Sequence, residues 1–126
     1  MFLSIDENDT RPLYLQIIGQ IREQVGKGTL QPGDELPSVR ELANSLGINL
    51  HTVRSAYLKL REQGIITMRL GRRARIARIQ PPVHTADIEA DIGARLQELI
   101  TDALLMGLTP DRFRKIVIEQ LDRLEE

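Results

Sequence analysis

The chain has 126 residues, 17 Lys+Arg against 18 Asp+Glu, two Phe, two Tyr and neither Trp nor Cys. That length suits one domain, or a small domain with an appendage, and the absence of cysteine excludes a disulfide framework, a thiolate nucleophile and a thiolate metal site. No apolar run approaches the roughly 18 to 20 residues that span a bilayer; with no basic stretch leading into an apolar one at the N-terminus, the expected location is the cytoplasm, with no membrane partner.

The first ten residues are polar and expected to be extended, with Ile5 as their point of contact. Pro12 stands where a first helical turn tolerates it. Leu13, Tyr14, Ile17, Ile18, Ile21 and Val25 then form the apolar face of a helix that closes at Gly28. Pro32-Gly33 is a turn pair, proline presetting one dihedral and glycine supplying the next. Ser38 followed by Glu41 is a capping box, in which the serine oxygen takes an orphan amide and the glutamate reaches back. Val39, Leu42, Ala43 and Leu46 make one stripe of a short helix, which Gly47 ends in a left-handed conformation. Ile48 plugs the turn, Asn49 caps the next helix, and Val53, Ala56, Tyr57 and Leu60 are its stripe, ended by Gly64. Two helices joined by a tight glycine turn make a helix-turn-helix.

After Gly64 the period changes from helical to alternating. Ile66, Met68 and Leu70 alternate with Thr67 and Arg69; Gly71-Arg72-Arg73 turns the chain, and Ala74 to Ile79 returns as a second strand. Three helices followed by a hairpin describe a winged helix. Its wing carries Arg69, Arg72, Arg73, Arg75 and Arg78, and no acid occurs between Glu62 and Asp87. Charges also protect an edge hairpin from aggregation, but acids serve that purpose equally, whereas guanidinium groups fork onto phosphate. The wing therefore points to DNA. Charge is unevenly divided: residues 1–80 hold 12 basic and 8 acidic side chains, residues 81–126 hold 5 and 10. The break falls at Gln80-Pro81-Pro82, a natural linker.

The ordered residues Pro12-Leu13-Tyr14, Gln16-Ile17, Gly28, Leu30, Pro32-Gly33, Leu36-Pro37-Ser38-Val39-Arg40-Glu41-Leu42-Ala43, Leu46-Gly47-Ile48, Thr52-Val53, Ala56-Tyr57, Leu60, Gly64 and Ile66 resemble the winged-helix domain of the GntR family over about residues 11 to 76. The short two-helix tail further resembles its YtrA-type subfamily. This resemblance implies a bacterial transcriptional regulator, most often a repressor, that binds a palindromic operator in double-stranded DNA as a homodimer. For the YtrA type it implies an operon of transporter genes. An unknown small-molecule effector is a further partner it implies, bound at the dimer interface or between tail and winged helix.

Carried over position by position, Arg40 matches a family arginine that contacts DNA, with Ser38 beside it. Asn49, His51, Thr52 and Arg54 match positions at the start of the recognition helix. With Val53 taken as the core direction, a step of about 100° per residue puts His51 and Ser55 nearly opposite it, with Arg54 flanking them. Asn reads adenine and Arg reads guanine in bidentate fashion; Thr52 lies nearer the core edge, where a phosphate contact or packing suits it. Gly71 matches the wing glycine, and Arg69, Arg72, Arg73 and Arg75 complete the DNA-facing set. Leu50 departs from the family, which often has arginine there, and Arg73 replaces a second wing glycine. A more basic, less tightly turned wing tip is expected.

In the tail, Thr85 caps a helix with Asp87 in its first turn, and Ile88, Ile92, Leu96, Leu99, Ile100, Ala103 and Leu104 supply its stripe up to Gly107. Thr109-Pro110-Asp111 restarts the chain as cap, proline at the first position and acid near the positive dipole end. Phe113, Ile116, Val117, Leu121 and Leu124 line the last helix. Such a hairpin has too little partner surface for both stripes, so dimerisation is expected, a two-fold protein matching a palindromic site. The alternative is packing within a monomer.

The expected architecture is therefore mainly α with a small β wing: a winged helix-turn-helix DNA-binding domain over residues 1–80 and a two-helix dimerisation tail over residues 81–126. A winged helix serving as a protein-interaction module without specific DNA binding is the competing reading. His51 and His84, without cysteine or a carboxylate at ligand spacing, are a poor metal site. No serine, histidine and acid constellation or phosphate loop is present, so no cofactor and no enzymatic activity are expected.

Overall fold

A computed structural model describes residues 3–79 and 85–125. Its elements are α1 (Leu13–Gly26), α2 (Val39–Leu46), α3 (Leu50–Glu62), β1 (Ile66–Thr67), β2 (Arg75–Ile76), α4 (Thr85–Leu105) and α5 (Pro110–Glu125). They fall into two compact units, Met1–Ile79 and Gln80–Glu126. No helix among the described residues is long and apolar enough to cross a membrane.

Pro12 occupies the N-cap of α1 in extended geometry, one position earlier than its sequence suggests, and Leu13 is the first helical residue. The face that α1 buries is also rotated from the expected one. Ile17, Ile18 and Ile21 are sealed, Gln16 joins them, and Leu13 and Tyr14 are more than a third exposed. The reason is the extended arm in front of the helix. Gln16 accepts from the Asp6 amide and donates to the carbonyls of Asp6 and Arg11. Gln20, one turn on, makes the same two-way contact with Ser4. Two amide side chains at a four-residue spacing thus substitute for a strand partner, and Leu3 and Ile5 pack on the core beneath.

The Ser38 hydroxyl accepts from the Glu41 amide at 3.1 Å and so caps α2. Gly47 ends the helix at φ +67°, where any Cβ is strained. The Asn49 side-chain oxygen then accepts from the His51 amide at 2.7 Å, capping α3 within two residues of the turn. Helix α3 packs across both α1 and α2. Val53, Ala56, Tyr57 and Leu60 on it are fully enclosed, as are Ile21 and Leu36 facing them. Enclosure of each large aliphatic group contributes about 1.5 to 3 kcal/mol.

The strands are shorter than the alternation predicts. Ile66 pairs with Ile76 and Thr67 with Arg75, and pairing stops there. Leu70, read as a strand residue, is wholly exposed beyond it. The chain reverses in a four-residue turn closed by the Arg72 amide on the Arg69 carbonyl (3.1 Å), with Gly71 at its third position at φ +74°. That is type II geometry, which demands glycine there. Arg73, in place of a second wing glycine, needs no positive φ, because among the described residues only glycines adopt one.

The segment before α2 supplies what the short strands lack. The Gly33 amide donates to the Ile76 carbonyl, Ile76 donates to Asp34, and Leu36 donates to Ala74, each at 2.9 Å. Strand β2 is therefore held on both sides, by β1 and by residues 33–36.

In the second unit α4 and α5 pack as a helical hairpin. Gly107 closes α4 at φ +91°. The Thr109 hydroxyl accepts from the Arg112 amide at 3.2 Å, the cap expected there. Only Ala103 is buried among the described residues of this unit; Ile88, Ile100, Phe113, Val117 and Leu124 are half-buried, while Ile92, Leu96, Leu99, Leu104, Ile116 and Leu121 are exposed. The linker Gln80-Pro81-Pro82, His84 and the capping side chain of Thr85 lie outside the described residues.

Candidate nucleic-acid interface

The outward face of α3 follows from its inward one. With Val53, Ala56 and Tyr57 enclosed, the helical repeat leaves His51, Arg54 and Ser55 exposed and Thr52 at the edge. Leu50 is about a third exposed at the first turn. Polar and cationic groups thus crowd the N-terminal two turns of the second helix. No acidic residue lies in its first turn.

Tyr57 links the two helices. Its hydroxyl donates to the Pro37 carbonyl at 2.7 Å, tying the middle of α3 to the entry of α2. Burial, with the Glu41 charge adding to it, pushes this phenol well above its ordinary range, so it remains a neutral donor.

The wing arginines divide into two groups. Arg69 and Arg72, at the turn, have guanidinium groups with no partner among the described residues, as does Arg78. Arg73 and Arg75 are engaged. Arg73 makes a fork-to-fork pair with Glu41 of α2, at 2.6 and 2.9 Å. Arg75 donates to the Glu35 carboxylate and to the Gly33 carbonyl. Thr67, Arg69, Arg72, Arg73 and Arg75 together line a recess of about 230 Å³, cationic on nearly every side.

One assignment changes: Glu41 does not complete the capping box; only the serine half forms, and the carboxylate turns to Arg73 instead. Asn49 caps α3 as expected, with its side-chain oxygen engaged by the His51 amide. Arg40 and Ser38 sit as expected at the start of α2, Arg40 exposed and Ser38 half-buried. Sequence reasoning missed Glu35 and Glu41 as partners of the wing. No group of histidines and acids among the described residues could hold a metal ion.

A helix-turn-helix with an exposed polar second helix, followed by an arginine-bearing hairpin, defines a winged helix-turn-helix protein of the transcription-regulator class. The profile of the gntR family of bacterial regulatory proteins matches residues 13–76. The transcriptional repressor YtrA of Bacillus subtilis is 36% identical over 117 residues, which span 93% of this chain and 90% of that protein. A crystal structure of a transcriptional antiterminator from Listeria monocytogenes superposes with a TM-score of 0.81 at 31% identity, covering 98% of this chain and 92% of the other. The DNA-binding domain of AraR, solved in complex with an operator, matches at a TM-score of 0.51 and 25% identity over 61% of this chain and 94% of that one. The chain belongs to the GntR family of bacterial regulatory proteins and is of its YtrA type.

Proposed function

We propose that this protein is a cytoplasmic, dimeric repressor that binds a palindromic operator through residues 1–80 and pairs through residues 81–126. One observation carries the reading: the helix-turn-helix leaves His51, Arg54 and Ser55 outward on a well-seated helix, and Arg69 and Arg72, without a side-chain partner among the described residues, stand at the adjoining wing tip. A relative of nearly the same length is named as a transcriptional repressor, and a neighbouring fold is solved on operator DNA.

In this reading α3 enters the major groove N-terminus first. Arg54 reads guanine through its fork, while His51 and Ser55 contact neighbouring base edges. Leu50, having no donor, touches a thymine methyl. Asn49 contributes its amide nitrogen, its oxygen being occupied by the cap. Arg40, Ser38 and Thr52 bind phosphate alongside, and the wing turn Arg69-Leu70-Gly71-Arg72 tracks the backbone. Phosphate contacts fix register and orientation, and base contacts fix sequence.

The tail sets half-site spacing. Ile92, Leu96 and Leu99 of α4 and Ile116 and Leu121 of α5 are exposed together on a hairpin, and Ile88, Ile100, Phe113 and Val117 are only half covered. A second copy of the same hairpin satisfies these stripes, with Ala103 already enclosed near the turn end of each hairpin.

The test is selection of bound duplexes from a random DNA library with the full chain. An enriched inverted repeat is the expected result, and the repeat is then sought upstream of transport genes. Salt-sensitive binding with no enriched sequence would overturn the reading in favour of a protein-interaction module with general affinity for polyanions.

A further inference from the structure

The pairing of Arg73 with Glu41 joins two elements 32 residues apart in sequence, the wing and the first helix of the helix-turn-helix. Nη1 donates to Oε2 and Nη2 to Oε1, a two-bond geometry that fixes orientation as well as distance. A second tie, from Arg75 to Glu35 and Gly33, holds the same returning strand to residues six and eight positions before Glu41 in sequence. Glu41 leaves its usual capping role to make the pair. Each partner is about half exposed, and half-exposed ion pairs add little to folding stability. The consequence of this one therefore lies in orientation.

Resting on the DNA-binding reading above, we propose that Glu41 is a positioning residue for operator recognition: it clamps Arg73 so that the wing meets the backbone at one angle, and it withholds Arg73 from phosphate. Arg73 is thus a brace and not a contact, although it stands in the most basic stretch of the chain. The wing's phosphate binding falls to Arg69 and Arg72. The clamp also neutralises a carboxylate adjacent to Arg40, which would otherwise repel the phosphates that Arg40 approaches. Phosphate-binding strength and operator specificity are then controlled by different wing arginines.

The experiment compares binding to the selected operator and to an unrelated duplex across a salt series, with the full-length protein. Arg72→Ala is expected to lower the slope of log affinity against log salt by about 0.9 on both duplexes, the value for one phosphate. Arg73→Ala leaves the slope on the unrelated duplex unchanged and reduces the operator preference about three- to fivefold, the factor an exposed pair supplies. Glu41→Gln frees Arg73, so it tightens binding to the unrelated duplex, steepens its slope and reduces the same preference. The exchanged pair, Glu41→Arg with Arg73→Glu, restores preference towards that of the unaltered chain. Melting temperatures of all variants stay close to that of the parent, which separates positioning from simple loss of fold.

A slope loss in Arg73→Ala equal to that of Arg72→Ala would make Arg73 a phosphate contact and overturn the inference. So would an exchanged pair that discriminates worse than both single variants. If the unaltered protein selects no operator, the DNA reading itself fails and the inference with it. Failure of the clamp alone shows as an intact operator preference in Glu41→Gln.

Discussion

Ile21, Leu36, Val53, Ala56 and Leu60 of the winged helix are entirely shielded from solvent, whereas in the tail Ile92, Leu99 and Leu121 each keep about half their surface in water. Both regions are built from amphipathic helices of ordinary length. They differ in geometry. In the winged helix α3 lies across both α1 and α2 and also meets β1, so its stripe is covered from more than one side and one continuous core runs through these elements. In the tail two helices meet along one line, and a stripe roughly 100° wide cannot be covered by a single neighbour. One unit completes its core from within. The other presents a surface that a second copy covers under the proposed function.

This contrast is open to direct attack. The largest effect is expected from Leu60→Ala, which removes a wholly enclosed side chain at the centre of the three-helix core. It should cost about 2 to 5 kcal/mol, read by denaturant unfolding; a loss below 1 kcal/mol would mean that this core is not close-packed. Leu99→Asp acts on the other side of the comparison. Placed on the exposed stripe of α4, it should weaken the dimer by about 2 kcal/mol or more, the scale of a central interface residue. Sedimentation should then show monomer at concentrations where the parent is dimeric, with the melting of the winged helix unchanged. Dimer retained in full would remove this stripe from the interface.

The smallest effect belongs to Tyr57→Phe, which keeps the enclosed ring and deletes the bond to the Pro37 carbonyl. It should cost about 1 kcal/mol at neutral pH. The pH dependence sharpens this. The folded phenol titrates above its ordinary value of 10.0, so above that value the unfolded chain has lost a proton that the folded chain still holds. Stability contributed by Tyr57 is complete below pH 10 and falls as pH rises beyond it. The gap between parent and Tyr57→Phe should therefore close under alkaline conditions. A constant gap would mean that the hydroxyl is not held as a buried donor.

Much of this protein was legible in one dimension because much of it is governed by local physics. The stripe Val53, Ala56, Tyr57 and Leu60 repeats at the helical period, and the structure encloses all four. Ser38, Gly47 and Asn49 punctuate the two helices through contacts no more than four residues long. Gly71 is set by the dihedral its turn demands. From those residues the winged helix, the exposure of His51, Arg54 and Ser55, and the family could be inferred.

Tertiary structure alone decided the rest. The extended arm buried Gln16 and rotated α1 away from Leu13 and Tyr14. Residues 33–36 became the second neighbour of β2, which no alternation of their own announces. Above all, the five wing arginines look alike in sequence, yet two of them face carboxylates 32 and 40 residues away and the other three have no such partner among the described residues. Local periodicity reports which face of an element is apolar. It carries no information about which distant charge a flexible cation will meet, because that depends on how the elements are docked.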